Sequence, residues 1–198
     1  MNTEENKKTR LDMMVDMETV SLKENAGILS LALVPFNRDG SVNDLVPFYL
    51  AVDLTSCFMS GMDMTGCQEW WMKQDPKAIA EIVKAEKMSI GTVINMSHTY
   101  LSNLAEQYEL VMWSRGMDFD FPKLEWCFRK FVEKEPPYAY YNKRDVRTWV
   151  KELGVDESQI EFEGTKHNAL DDCKHQIKLV QAAMHTGTTP VIITPTYK

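Results

Sequence analysis

Apolar positions near the start of the chain come in strand-length runs. Residues 11–19, LDMMVDMET, read as a strand with carboxylates set into it, and residues 28–36 as a second apolar run. The turn Asn37-Arg38-Asp39-Gly40 leads into a third strand at 44–53, so an antiparallel meander is expected to open the fold. Residues 55–66 read as a loop rich in small residues and methionine. Helical character starts near Gln68, Pro76 opens a helix to about residue 88, and Ser97 is expected to cap another with Leu101, Leu104 and Tyr108 on one face. Residues 109–114 form a short strand. It leads into a helix over 119–133, striped by Leu124, Cys127, Phe128 and Phe131 and broken by Pro136-Pro137. A helix over 142–153 stops at Gly154, and an acidic loop at 156–163 precedes a last helix over 168–185. Val191–Thr194 would either add an edge strand or stay loose. Strands first and strand-helix units later predict an α/β fold with a mixed sheet and flanking helices. The expected division is a flexible tail at 1–10, one domain over 11–185 and a C-terminal tail at 186–198.

Three acidic features interrupt this pattern. Asp16 and Glu18 lie two apart in a strand and share a face. Either that face is solvated at a strand end, or a divalent cation offsets the cost of neighbouring buried carboxylates, and oxygen-only ligands suit magnesium or manganese. In RGMDFDFPKLEWCFRKF, stepping back four residues from Leu124 puts Asp120 on the inward line. Asp118 falls off it and is assigned the helix N-cap. In KHNALDDCKHQIKLV, the stripe Ala169, Cys173, Ile177, Val180, Met184 leaves Asp172 at its edge, with Asp171 and His175 pointing outward. On one continuous helix His167 and Asp172 would diverge by about 140°, so they converge only if His167 precedes the helix or sits in its first turn. Otherwise His167 is a plain loop residue.

Composition narrows the class. The chain has 198 residues, 44% hydrophobic and 26% charged, enough for one core without staples. A formal charge of −7 excludes a protein that coats nucleic acid through bulk positive charge, and is compatible with carboxylates that hold metal. No apolar run reaches membrane-spanning length, and the charged first ten residues argue against a secretory signal. Cys57, Cys67, Cys127 and Cys173 show no metal or disulfide spacing, so a reducing cytosol is expected.

The order of these features resembles the DEDDh 3′-5′ exonucleases, which share the ribonuclease-H-like fold. VDMETVSLKENAGILSLALVPF, EWWMKQDP, WSRGMDFDFPKLEW, YYNKRDVRTWVKEL and HNALDDCKHQI are similar, in that order, to blocks of the phage exonuclease A group and the mycobacterial-type 3′-5′ exoribonuclease group. The resemblance covers residues 11–185 and implies a ribonuclease-H-like mixed β-sheet flanked by α-helices. It implies that Asp16, Glu18, Asp120 and Asp172 bind two Mg²⁺ or Mn²⁺ ions and that His167 is the general base. Asp16 would bridge, Glu18 and Asp172 would complete the first metal site, and Asp120 would act on the second. Two metals can clamp the attacking and leaving oxygens of a phosphodiester, and a histidine, titrating near 6.5 in model peptides, suits a base at neutral pH.

The implied partners are 3′ ends of single-stranded DNA or RNA, DNA slightly favoured, with nucleoside 5′-monophosphates released. Backbone groups at Thr19 and Val20 would hold the terminal 3′-hydroxyl. Trp70 and Trp71 either divide between core and surface or stack on a base. Arg144, Asp145 and Arg147 form either an internal Arg–Asp pair or a phosphate contact. Met17 is expected in the core, His98 and His185 at the surface, and Lys7, Lys8 and Arg10 in a solvated basic tail. The alternatives are trimming of short RNA and a non-catalytic binding or assembly module. No membrane partner is expected, a homodimer is expected by analogy alone, and the location is the cytoplasm, that of the host if the chain is phage-encoded.

Overall fold

The computed structural model describes residues 8–186. The expected strand at 191–194 and most of both expected tails lie outside the described residues. The meander is present as β1 (Thr9–Thr19), β2 (Ile28–Phe36) and β3 (Phe48–Val52), paired antiparallel in that order. Strand β5 (Tyr108–Ser114) runs parallel to β1 on its other side. The short strands β4 (Lys87–Met88) and β6 (Lys143–Asp145) close the two edges, giving the order β4-β3-β2-β1-β5-β6. The strand β1 is therefore central, with its C-terminal end beside that of β5.

Alternation along β1 feeds two cores. Met13, Val15 and Met17 pack with Ile94 and Leu101 of α4 (Ile90–Gln107) and with Phe121 and Leu124 of α5 (Met117–Cys127). Met14, on the opposite face, packs with Val146 and Val150 of α6 (Val146–Glu152) and with Cys173 and Val180 of α7 (Ala169–Thr186). Every residue of β2 is buried, as a strand covered on both faces requires. Asp16 and Glu18 share the α7 side.

Several boundaries differ from the sequence reading. The expected loop at 55–66 holds α1 (Leu54–Met59), because Asp53 caps its Thr55 N–H. Two further helices follow, α2 (Gln68–Trp71) and α3 (Pro76–Lys84); α3 stops short of residue 88, where β4 pairs with β3. Helix α4 starts before Ser97 because Ser89 accepts the Thr92 N–H; Ser97 is buried mid-helix and donates to the Ile94 carbonyl instead. His98 is buried rather than exposed, its ring 5.0 Å from that of Phe128 and its Nε2 3.1 Å from the Glu135 carbonyl. The expected solvated tail ends earlier, since Thr9 and Arg10 belong to β1 and Arg10 is paired with Asp12. All four cysteines are free and buried. Among the described residues no helix is long and apolar enough to cross a membrane.

Candidate active site

A cleft of about 510 Å³ opens where β1 and β5 end and α5 and α7 begin. Asp16, Glu18, Asp120, His167 and Asp172 all line it, together with Thr19, Trp70, Arg115, Arg147 and Gln176. Each carboxylate arrives by local geometry. Asp16 and Glu18 are two apart on one strand, and the register with β2 shifts between Glu18 and Thr19, turning the chain out of the sheet just beyond them. Asp120 lies in the first turn of α5 and is buried. Asp172 lies in the first turn of α7, one helical turn before Gln176.

His167 precedes α7, in the left-handed backbone region at φ 65°. Its backbone N–H donates to Asp172 Oδ2 at 2.8 Å, which turns the chain so that the ring enters the cleft. The ring stands edge-on to Trp70, centroids 4.8 Å apart. One oxygen each from Glu18 and Asp172 and a ring nitrogen of His167 all lie within 4.8 Å of one another.

The cluster is short of positive charge. Burial, then repulsion from Asp120, Glu18 and Asp172, raises the Asp16 carboxyl well above its ordinary range; the Gln176 amide, donating to Oδ1 at 2.7 Å, draws it down. Burial and the neighbouring Asp172 push Glu18 up to about 9. Asp120 is raised to about 7 by burial, against the opposing pull of the Lys123 ammonium and the Met17 backbone N–H. Asp172 is raised as well, chiefly by burial. Lys123 is itself buried and donates to the Leu22 and Phe119 carbonyls, joining the loop after β1 to α5. The Oε1 of Gln176 is buried with no partner. Four carboxylates that resist ionising together and a spare buried amide oxygen are an oxygen donor set that suits hard divalent cations.

The remaining candidates are placed less uniformly. Thr19 reaches the cleft, its hydroxyl donating to the Ser21 carbonyl and its own carbonyl accepting the Trp71 indole N–H at 2.9 Å. Val20 faces an apolar groove behind the cleft; its N–H is bound to Gly27 and its carbonyl accepts from Cys67. The two tryptophans divide: Trp71 is buried, whereas Trp70 is 44% exposed in the cleft. Arg144 is not brought to the cleft, because its guanidinium turns back onto the Tyr141 and Lys143 carbonyls. Asp145 neither pairs with an arginine side chain nor faces the cleft. It caps α6 through the Arg147 N–H and Thr148 hydroxyl and accepts the Gly116 N–H. Asp118 is exposed and is not the cap of α5; that position is Gly116, whose φ of 114° suits glycine. His175 is half-buried against Phe162 rather than on the surface.

Sequence reasoning missed two polar cleft residues, Gln176 and Arg115, and left Arg147 open between an Arg–Asp pair and a phosphate contact; the structure brings Arg147 to the cleft. Gln176 had a signal, four residues after Asp172 on the same helix; Arg115 had none. Arg115 is bonded to Glu157 at 2.7 Å, and the Arg147 guanidinium lies so close to Gly116 that an added Cβ would meet Nη1 at 3.2 Å.

A family model described as the 3′-5′ exoribonuclease Rv2179c-like domain matches residues 11–184. The chain belongs to the Rv2179c-like 3′-5′ exoribonuclease domain family. This Rv2179c-like chain is thus a 3′-5′ exonuclease. It is 24% identical to the exodeoxyribonuclease of Enterobacteria phage T4, over 87% of this chain and 88% of the relative. Its fold is similar to the nuclease domain of 3′hExo, a DEDDh family member solved bound to rAMP, with a TM-score of 0.55, 15% identity, and coverage of 90% of this chain and 94% of that one. E. coli exonuclease I in complex with a 5cy-dA13 oligonucleotide gives a TM-score of 0.57 at 12% identity. That match covers 91% of the Rv2179c-like chain and 42% of the exonuclease I chain, so the present chain spans less than half of that protein. The mixed six-stranded sheet flanked by helices is the ribonuclease-H-like fold, shared with the nuclease domain of 3′hExo.

Proposed function

We propose that this chain is a metal-dependent 3′-5′ exonuclease that takes single-stranded 3′ ends and releases nucleoside 5′-monophosphates, DNA in preference to RNA. The observation that carries the reading is the meeting of Asp16, Glu18, Asp120 and Asp172 with His167 in one cleft. Asp16, Glu18, Asp120 and Asp172 would hold two Mg²⁺ or Mn²⁺ ions, which when bound supply an activated water and neutralise charge on the departing 3′-oxygen. An imidazole nitrogen of His167 accepts a proton from the attacking water. Arg115 and Arg147, the two arginines lining the cleft, attract the phosphodiester that the carboxylates alone would repel. Trp70 offers an exposed ring face to the terminal base. The water attacks the last phosphorus, the P–O3′ bond breaks, and the 3′-oxygen of the shortened strand takes up a proton. A narrow cleft of this size admits one strand end more readily than a duplex.

The phage relative's name, exodeoxyribonuclease, supports DNA. A second reading, trimming of short RNA, is favoured by the exoribonuclease description of the family model. The net charge of −7 also fits short substrates, because long ones gain more from basic tracks. Both readings are tested by incubating the pure protein with 5′-labelled single-stranded DNA and RNA of equal sequence, with Mg²⁺ or with EDTA. The expected result is a ladder shortening from the 3′ end, faster on DNA and abolished by EDTA. Faster loss of RNA would reverse the sugar preference, and EDTA-resistant cleavage would end the metal-dependent reading.

A further inference from the structure

Helix α3 lies outside the acidic motifs, yet it reaches the turn that carries His167. Glu81, on α3, accepts from the Thr165 hydroxyl through Oε1 at 2.8 Å and from the Asn168 side-chain amide through Oε2 at 3.1 Å. Thr165 and Asn168 bracket His167, so both oxygens of one carboxylate are spent on the two sides of that turn. His167 needs such a hold, because a non-glycine residue at φ 65° pays a conformational cost and keeps that shape only where its surroundings impose it.

Further restraints come from Asn168 and α7, beside the packing of the ring on Trp70. Asp171 Oδ2 accepts the Thr165 N–H at 3.0 Å and Asp172 Oδ2 the His167 N–H at 2.8 Å, while Asn168 Oδ1 accepts the Leu170 N–H and so caps the helix. These bonds fix the turn from below. Glu81 holds the Thr165 and Asn168 side chains from the opposite side.

We propose that Glu81 is a positioning residue, which by clamping Thr165 and Asn168 holds the His167 imidazole against the reacting water. The inference rests on His167 being the base. A merely structural tie between α3 and the turn makes a different forecast: its loss lowers stability whatever residue stands at 167. A positioning role makes Glu81 count only while His167 is there to be positioned.

The test is a double-mutant cycle on the full chain, with turnover of a labelled oligonucleotide and calorimetric Mn²⁺ binding as the two readouts. Glu81→Ala should lower kcat by about 10–100-fold, the usual effect of displacing a reacting group by an ångström or so, and leave KM within about twofold. Mn²⁺ uptake should match the wild type, because Glu81 touches none of the four carboxylates. In a His167→Ala background, adding Glu81→Ala should change kcat by less than about twofold. Multiplying losses in the double variant, wild-type kcat in Glu81→Ala, or loss of Mn²⁺ binding would each overturn the assignment. Full activity in His167→Ala alone would instead overturn the base, a separate failure. Should Glu81→Ala unfold at the assay temperature, Glu81→Gln carries the same cycle: it keeps one acceptor and presents an amide to the Asn168 amide, so it should show a smaller kcat loss that again vanishes without His167.

Discussion

Replacing Glu18 with Gln should stabilise the metal-free protein, and by more as the pH rises. Glu18 lies within 4.8 Å of Asp172, and burial together with that neighbour pushes its carboxyl from 4.5 to about 9. Between those values the folded protein holds a proton that the unfolded chain has released. Native protein then binds more protons than unfolded, so the unfolding free energy falls with rising pH. The contribution of this group is whole below about pH 4.5 and drains away until the pH passes about 9. At pH 8 the loss is about 5 kcal/mol if Glu18 acts alone, and about half that if Asp172 shares the proton. Gln has nearly the same shape and cannot ionise, so it escapes the loss. Melting both proteins by calorimetry in EDTA from pH 5 to 8.5 measures the difference. A domain of this size moves about 2–4 °C per kcal/mol, so the variant should melt close to wild type at pH 5 and about 5–20 °C above it at pH 8. Mg²⁺ should close the gap by stabilising the wild type. Melting curves that keep a constant separation across the pH range would refute the account of a carboxylate cluster lacking counter-charge.

Three further outcomes follow from the same geometry. His167→Ala should reduce turnover about 10²–10⁴-fold while Mn²⁺ binding measured by calorimetry survives; turnover within a few-fold of wild type would count against the base. Arg147→Ala should raise KM for single-stranded oligonucleotides and flatten the dependence of binding on salt, since one phosphate contact is removed; an unchanged salt slope counts against that contact. Gly164→Ala should cost about 1–3 kcal/mol in urea unfolding, because φ is 98° and the new Cβ would run into the Asp171 carboxylate; an unchanged unfolding midpoint would show that the turn can shift freely.

What the sequence made legible was whatever depends on short-range period. Asp16 and Glu18 share a face because a strand repeats every two residues, and Asp120 points inward because it continues the stripe of Leu124. The His167 problem was also visible as geometry: on a regular helix it could not meet Asp172, and the structure resolves this with a left-handed residue before the helix. Pairings between distant elements left no such trace. Glu81 is ordinary within α3 and acquires meaning only against Thr165 and Asn168. His98 reads as a surface residue until Phe128 is folded against it. Ser97 looked like a cap because serine favours that position, but Ser89 supplies the same chemistry eight residues earlier. Arg144 and Arg147, three apart, were equal candidates for a phosphate contact. Only the fold sends one to its neighbours' carbonyls and the other into the cleft.

The wide spacing of the acidic groups has a consequence for the newly made chain. Asp16 lies in β1 and Asp172 in α7, with Asp120 between, so no contiguous fragment shorter than residues 16–172 holds all four carboxylates. At about 5–20 residues per second, roughly 8–30 s of translation separates Asp16 from Asp172. Through that interval the growing polypeptide, tethered to a ribosome and surrounded by RNA, carries an incomplete cluster. On the proposed two-metal reading, the cleft has its full set of metal ligands only once α7 has emerged and docked.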